Sequence, residues 1–98
     1  MDAKRILSDC DQDKAFWFRD GTVIRNIYEL ANSIEAIDDW NFHYHVNEDR
    51  NKNDFQKWIK DVLADEDLAD ALVGVKEQKD YVRVIREHIS RVERMCSV

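Results

Sequence analysis

Apolar side chains recur every three or four residues along much of the chain, the spacing that places them on one face of an α-helix. The clearest early case predicts a helix over 22–37 that begins at Thr22, whose hydroxyl suits an N-cap. Its apolar positions are Val23, Ile24, Ile27, Leu30, Ala31, Ile34 and Ile37. The pattern therefore predicts one amphipathic helix before residue 38.

A short second helix follows the first. Asp38 or Asp39 can cap its start, because a carboxylate at this position accepts a hydrogen bond from a free backbone N–H. We expect it to end at the polar run 47–53. The larger side chains that it carries are Trp40, Phe42, His43 and Val46.

Two further helices are predicted from their caps. Asn53 and Gln56 have the spacing of a capping box, which opens a helix. Asp65 can cap a short helix that Gly74 stops in the left-handed conformation. The apolar side chains of these two segments are Phe55, Trp58, Ile59, Val62, Leu63, Leu68, Ala69, Leu72 and Val73.

The last helix is predicted from about Val75 to Met95. Its apolar seam has spacings of four, three, four and three, at Val82, Ile85, Ile89, Val92 and Cys96. Such a seam could form a short coiled-coil dimer, but over about two heptads it more often forms the inner stripe of a bundle helix. We favour the inner stripe and leave monomer or homodimer open.

The N-terminal region differs from the rest. Residues 1–15 are mostly polar and predict one or two turns of frayed helix. "AFWFRDG" then predicts an extended stretch and a turn that place Phe16 and Phe18, or Trp17, in the core. Proline is absent and glycine occurs twice, so residues that make tight hairpins are scarce. We expect an all-α fold: one domain over 1–98, a compact bundle of about four to five helices with a short extended aromatic N-terminal segment.

Composition places the chain among ordinary folded proteins, with 44% hydrophobic and 37% charged residues. No apolar run approaches the roughly 18 residues of a membrane span, and the start lacks the apolar core of a signal peptide. We therefore expect a soluble, cytoplasmic protein with no membrane partner. Cys10 and Cys96 belong to no metal or redox motif, so free thiols are expected, although their pairing stays open.

Charge is uneven along the chain, whose net charge is −6. Residues 29–70 carry twelve acidic and four basic side chains, whereas 76–94 carry four acidic and six basic. The overall negative charge makes nucleic acid an unfavoured partner. A basic stripe on one face of the last helix consists of Lys76, Lys79, Arg83 and Arg86. We predict that it contacts a protein partner of unknown identity; the alternative is a solvated face neutralised by acids nearby or in the middle of the chain.

The histidines near the polar run suggest two interpretations. On a helix His43 and His45 point about 200° apart and cannot share one ion. We favour a structural role, in which His45 bonds a carboxylate or carbonyl at a helix corner near Asn53 and Asp54. The alternative is a small-ligand or metal-binding site centred on His45, Asp54 and Trp58.

The tryptophans add a conditional prediction about binding. Core packing is the default for all three, at positions 17, 40 and 58. A tryptophan exposed near His45 would instead anchor a binding surface, because this residue is enriched at interface hot spots.

Catalytic chemistry has little support in the sequence. Asp9, Asp11 and Asp13 match the start of a calcium loop, but Lys14 stands where its sharp turn needs glycine. The carboxylates of 61–70 have no nucleophile, glycine-rich loop or metal triad beside them. We predict no catalytic residues, no metal and no cofactor, and interpret the chain as a non-enzymatic protein-interaction or regulatory module of unknown pathway.

Four segments carry a family resemblance: "FWFRDGTVIRNIYELANSIEAI", "FHYHVN", "NDFQKWIKDVLADEDLADAL" and "YVRVIREHI". Through the motifs FRDG, HVN and NDFxxWIxDV, the chain resembles, over about 16–90, a family of small uncharacterised helical domains from archaea and bacteria, classed as a domain of unknown function. The resemblance implies an all-helical domain, found alone or joined to others. It supplies neither catalytic residues nor an established activity.

Overall fold

A computed structural model of the chain describes residues 3–18, 21–47 and 52–96. In this part of the chain the helices are α1 (Ala3–Leu7), α2 (Ile27–Ala36), α3 (Asp39–His45), α4 (Asp54–Asp61), α5 (Glu66–Ala71) and α6 (Gln78–Cys96). The strands are β1 (Phe16–Trp17), β2 (Val23–Ile24), β3 (Val46–Asn47) and β4 (Lys52–Asn53). They form two antiparallel pairs, β1 with β2 and β3 with β4. The all-α fold class is confirmed. The described residues form six helices against the expected four to five, and the short α1 lies in the segment for which one or two turns of helix were predicted.

The predicted helix start at Thr22 is wrong. Val23 and Ile24 are extended and pair with β1, in keeping with the preference of β-branched side chains for strands. The helix begins instead after Asn26, whose side chain accepts the backbone N–H of Glu29 at 2.8 Å. Asparagine is a stronger N-cap than threonine. The apolar spacing was thus right for α2 but ran on through a strand that precedes it.

The β1–β2 hairpin settles which aromatic side chains enter the core. Phe16 and Phe18 are buried, whereas Trp17 between them is 65% exposed, because successive side chains of a strand point to opposite sides. Trp17 pairs across the hairpin with Val23, which is also exposed. The first of the two predicted arrangements is therefore confirmed. Residues 19–20 of the FRDG motif lie outside the described part of the chain.

The other predicted caps are confirmed. Asp38, Asn53 and Asp65 each accept a hydrogen bond from the backbone N–H three residues later, at 2.8, 3.1 and 3.1 Å respectively. Each such cap contributes about 1 kcal/mol of helix stability. Gly74 has a φ of +78°, the left-handed conformation predicted for the end of this region. Local polar chemistry thus fixes where α3, α4 and α5 begin.

The long helix α6 begins at Gln78, three residues after the predicted Val75. The Gln78 side-chain amide donates to the backbone carbonyls of Ile34 and Ile37, at 2.7 and 2.6 Å, which ties this start to the end of α2. The seam residues buried in the core are Val82, Ile85, Ile89 and Val92. Cys96, placed on the same seam by its spacing, is exposed instead. The seam is therefore the inner stripe of a bundle helix, packed against α1, α2 and α5.

An aromatic cluster connects the hairpin, the middle of the chain and α6. Phe55 lies at its centre and is fully buried. The rings with centroids within 6.2 Å of the Phe55 centroid include Phe16, Phe18, Phe42, His45 and Tyr81. The Tyr81 hydroxyl donates to Asn53 Oδ1 at 2.6 Å, and burial raises the pKa of this phenol. The cluster therefore anchors the start of α4 against α6.

Candidate functional site

The corner between α3 and α4 brings His45 against Asp54. The chain leaves α3 at His45 and turns back through the β3–β4 pair, so that α4 begins beside the end of α3. Val46, which the apolar pattern placed in the helix, starts β3 instead. His45 Nδ1 lies 2.9 Å from Asp54 Oδ2, and the histidine is 4% exposed. The expectation that His45 bonds a carboxylate at this corner is confirmed.

Trp58, the third residue of the predicted ligand site, lies one turn further along α4. It is buried, and its indole N–H donates to the backbone carbonyl of Lys14 at 2.8 Å. The ring of Phe16 lies between the two, with its centroid 5.3 Å from that of His45 and 6.0 Å from that of Trp58. The structure therefore brings His45 and Asp54 together directly, while Trp58 belongs to the core that supports them.

The polar groups of the core are satisfied from within. In the ranges that the structure describes, every buried side-chain nitrogen or oxygen has a hydrogen-bond partner. The same ranges contain no group of three or more His, Cys, Asp or Glu side chains able to hold a metal ion. Cys10 and Cys96 are free thiols, as expected. A ligand role for the His45 corner stays a prediction, and residues 48–51 of the polar run lie outside the described part.

A second histidine–carboxylate pair joins α6 to the start of α5, and it was not predicted from the sequence. His88 Nε2 lies 2.6 Å from Asp65 Oδ2, and both side chains are buried. Burial by itself raises the pKa of Asp65, but hydrogen bonds from His88 and from the Leu68 backbone N–H outweigh it and hold this pKa below its usual value. The sequence did contain an indication, since His88 stands on the inner stripe three residues after Ile85.

The basic stripe is partly paired within the chain. Arg83 lies 3.7 Å from Asp80 and 3.5 Å from Glu87 on its own helix. Arg86 forms an ion pair with Glu35 and donates to the side chain of an asparagine, both on α2. The acidic middle of the chain is thus one partner of the stripe, as one of the alternatives had it. Its role in contacting another protein stays a prediction.

The exposed side of α3 forms a different kind of surface. Trp40 is 62% exposed and Tyr44 39% exposed; their ring centroids lie 6.1 Å apart with planes at 24°. Beside them, His43 Nε2 lies 3.3 Å from the Asp39 carboxylate, and both side chains are at least half exposed. At 100° per residue, these four side chains cover one continuous sector of the helix. We call this sector, Asp39, Trp40, His43 and Tyr44, the α3 outer face.

The α3 outer face adjoins the His45 corner. Tyr44 and His45 have ring centroids 5.1 Å apart, with planes nearly perpendicular. Trp40 is thus an exposed tryptophan one contact away from the buried His45, which is the condition stated above for a binding anchor. Trp17 is exposed too, beside two rings that contact His45, and the feature that distinguishes Trp40 is the stacked Tyr44 next to it. The sequence could not select Trp40 over the other tryptophans, because its exposure depends on how α3 packs.

The fold and the α3 outer face together define a small helical domain. It has an exposed aromatic surface and an apolar core whose few buried polar side chains are hydrogen-bonded. The sequence profile of a family of unknown function, DUF5752, matches residues 11–94, and the chain belongs to this family. No curated protein and no solved structure gives a significant match to it. Among the residues that the structure describes, no helix is both long enough and apolar enough to cross a bilayer.

Proposed function

We propose that this domain is a non-enzymatic protein-interaction or regulatory module, and that the α3 outer face is its contact surface. The observation that carries the proposal is Trp40, a large aromatic side chain 62% exposed and stacked on Tyr44. Tryptophan and tyrosine dominate interface hot spots, since they bury much area with few rotatable bonds. Because exposure of such a ring to water costs free energy, its presence here supports a role outside folding.

A binding role also agrees with the chemistry of the interior. Two histidine–aspartate pairs with a buried histidine, His45 with Asp54 and His88 with Asp65, are general acid–base candidates by residue type alone. Both histidines are less than a tenth exposed. A catalytic histidine must reach a substrate proton, so buried pairs that join helices favour a structural role for both. We keep the cytoplasm as the proposed setting, in which free cysteines are the rule.

The basic stripe is the second proposed surface, and it has weaker support than the α3 outer face. Arg86 already joins α6 to α2 through Glu35, and Arg83 has two acidic neighbours on α6. Exposed ion pairs of this kind contribute little energy, so a partner could still displace them. The ligand-site alternative at His45, Asp54 and Trp58 gains no specific observation in its favour.

The test uses the tagged domain to retain proteins from a lysate of its own organism. Three forms are compared: the unmodified domain, the double variant Trp40→Ala with Tyr44→Ala, and the single variant Trp17→Ala. Trp17 is 65% exposed, close to the exposure of Trp40, so its variant controls for the loss of an exposed indole. Circular dichroism melting verifies that each form is folded. Mass spectrometry identifies and quantifies what each form retains.

The proposal predicts a protein that the unmodified domain and Trp17→Ala retain equally and that the double variant loses. A parallel form with Lys79, Arg83 and Arg86 changed to glutamate tests the second surface in the same experiment. Equal retention by the unmodified domain and the double variant would remove the α3 outer face from the proposal.

A further inference from the structure

The chemistry of the α3 outer face defines the kind of partner that it fits. Trp40 and Tyr44 lie one helical turn apart, with ring planes only 24° from parallel and both rings at least a third exposed. The face of an aromatic ring carries negative electrostatic potential, and a Lys or Arg cation within about 6 Å of its centroid is attracted to it. Exposed tryptophan is the strongest such acceptor among the side chains.

Two exposed carboxylates lie on the same short helix as these rings. The Asp39 side chain is 80% exposed and belongs to the same sector of α3. Asp38, which caps α3, is also exposed. The potential around the α3 outer face therefore favours a cation from both the rings and the carboxylates.

An apolar partner fits this surface less well. A hydrophobic helix or strand laid over Trp40 and Tyr44 would also cover the neighbouring Asp39 and His43. Covering the Asp39 carboxylate costs desolvation free energy, which its exposed contact with His43 offsets only in part. A guanidinium or ammonium group compensates it and contacts the rings at the same time. Charge complementarity thus selects a basic segment over an apolar one.

We infer that the α3 outer face binds a segment of a partner protein that presents arginine or lysine, with the cation over Trp40 and Tyr44 and beside Asp39. This inference rests on the proposed function and names its partner class. Arginine is the better fit, because its planar guanidinium stacks on a ring while it donates to a carboxylate. One cationic side chain of the segment contacts the rings, and its other basic residues lie near the neighbouring carboxylates.

The test is a ¹⁵N NMR titration of the whole chain with capped hexa-arginine at physiological salt. The three indole N–H groups report separately on the two exposed tryptophans and on Trp58, whose indole is bonded to the Lys14 carbonyl and serves as an internal control. We expect the Trp40 resonance to move in a saturable way while the Trp17 and Trp58 resonances move little. Capped hexa-glutamate should leave all three in place.

Variants separate the ring contact from general charge attraction. Trp40→Ala should weaken hexa-arginine binding about fivefold, the effect of an exposed cation–π contact, whereas Trp17→Ala should leave it unchanged. Asp39→Asn should weaken it about two- to threefold, an effect typical of an exposed ion pair. Asp70→Asn, at an exposed position on α5, makes the same change in net charge and should have a smaller effect.

The outcomes separate this inference from the proposed function. Equal shifts of Trp17 and Trp40, or equal losses from Asp39→Asn and Asp70→Asn, would mean diffuse attraction to an acidic protein and would overturn the inference. A natural partner lost with the Trp40–Tyr44 double variant but contacting α3 through a segment without arginine or lysine would overturn it too, and would leave the proposed function standing. The proposed function itself fails if the unmodified domain and the double variant retain lysate proteins equally, a result of the separate lysate experiment.

Discussion

The two sides of α3 carry the same classes of side chain and have opposite surroundings. On the inner side Phe42 is fully buried and His45 is 4% exposed; on the outer side Trp40 is 62% and Tyr44 39% exposed. A seven-residue helix is not stable alone, so the inner contacts must hold it to the core. The outer aromatic pair is exposed instead. The comparison assigns a folding role to the inner side, and the exposure of the outer side is the observation on which the proposed contact surface rests.

The largest loss of stability should come from removing a buried ring on the inner side of α3. Phe42→Ala removes a ring that contacts both Phe55 and Tyr81 in the aromatic cluster. We expect the free energy of unfolding to fall by about 3–5 kcal/mol, because a buried phenylalanine leaves a cavity that the core cannot fill completely. Urea unfolding followed by circular dichroism measures it. A loss below about 1 kcal/mol would contradict the assignment of this side to the core.

A buried polar contact on α6 extends the comparison and should give the next largest effect. Asp65→Asn removes the charge that bonds His88, while its amide oxygen can still cap α5. We expect a loss of about 2–3 kcal/mol near neutral pH, typical of a hydrogen bond to a buried charged group. Asp67→Asn, in the first turn of α5 and exposed, is the matched control and should change stability by less than about 0.5 kcal/mol.

The same pair predicts a pH dependence. The folded-state pKa of Asp65 lies below its unfolded value of about 3.9. Its ionised form therefore contributes stability that is complete above that unfolded value and is lost as the pH falls through the folded pKa. Below about pH 4, the stability difference between the unmodified chain and Asp65→Asn should shrink as the pH falls. A difference that stayed constant to pH 2 would refute a native-state contribution from this carboxylate.

The free energy of unfolding should depend less on the hydrogen bond at the His45 corner. The Asp54 side chain is 33% exposed, so water partly screens its contact with His45. Asp54→Asn should lower the free energy of unfolding by about 1 kcal/mol. Asp61→Asn at the exposed end of α4 provides the control. If Asp54→Asn instead raised stability while abolishing binding of a small molecule or metal ion, the ligand alternative at this corner would replace the structural interpretation.

The smallest effect on stability should come from the outer side of α3. Trp40→Ala removes an exposed ring stacked on Tyr44, and we expect the free energy of unfolding to change by less than about 1 kcal/mol. Thermal melting and urea unfolding should agree on this value. A loss approaching that of Phe42→Ala would mean that Trp40 serves folding after all, and the contrast between the two sides of α3 would disappear.

The sequence predicted contacts between residues that are close along the chain and missed contacts between residues that are far apart. The caps at Asp38, Asn53 and Asp65 act on N–H groups three residues away, so residue type and spacing suffice to predict them. The bond between His88 and Asp65 spans 23 residues, and that between Arg86 and Glu35 spans 51. Such partners are chosen by packing, which no local pattern contains.

Strand pairing and exposure are further properties that depend on the whole fold. The helical spacing of Val23 and Ile24 was compatible with α2, but pairing with β1 overrode it. Trp40 and Trp58 both stand in predicted helices, yet one is 62% and the other 7% exposed. The sequence thus predicted the helical domain and the His45 corner, and left the α3 outer face to be found in the structure.

Hydroxyl-radical footprinting of the domain, free and bound to the protein that it retains from lysate, tests the contact surface on α3 directly. Oxidation of each tryptophan is read separately by mass spectrometry. We expect Trp40 and Tyr44 to become protected in the complex, Trp17 to be oxidised equally in both states, and buried Trp58 to react little in either. Equal oxidation of Trp40 in the free and bound domain would contradict a contact surface on the outer face of α3.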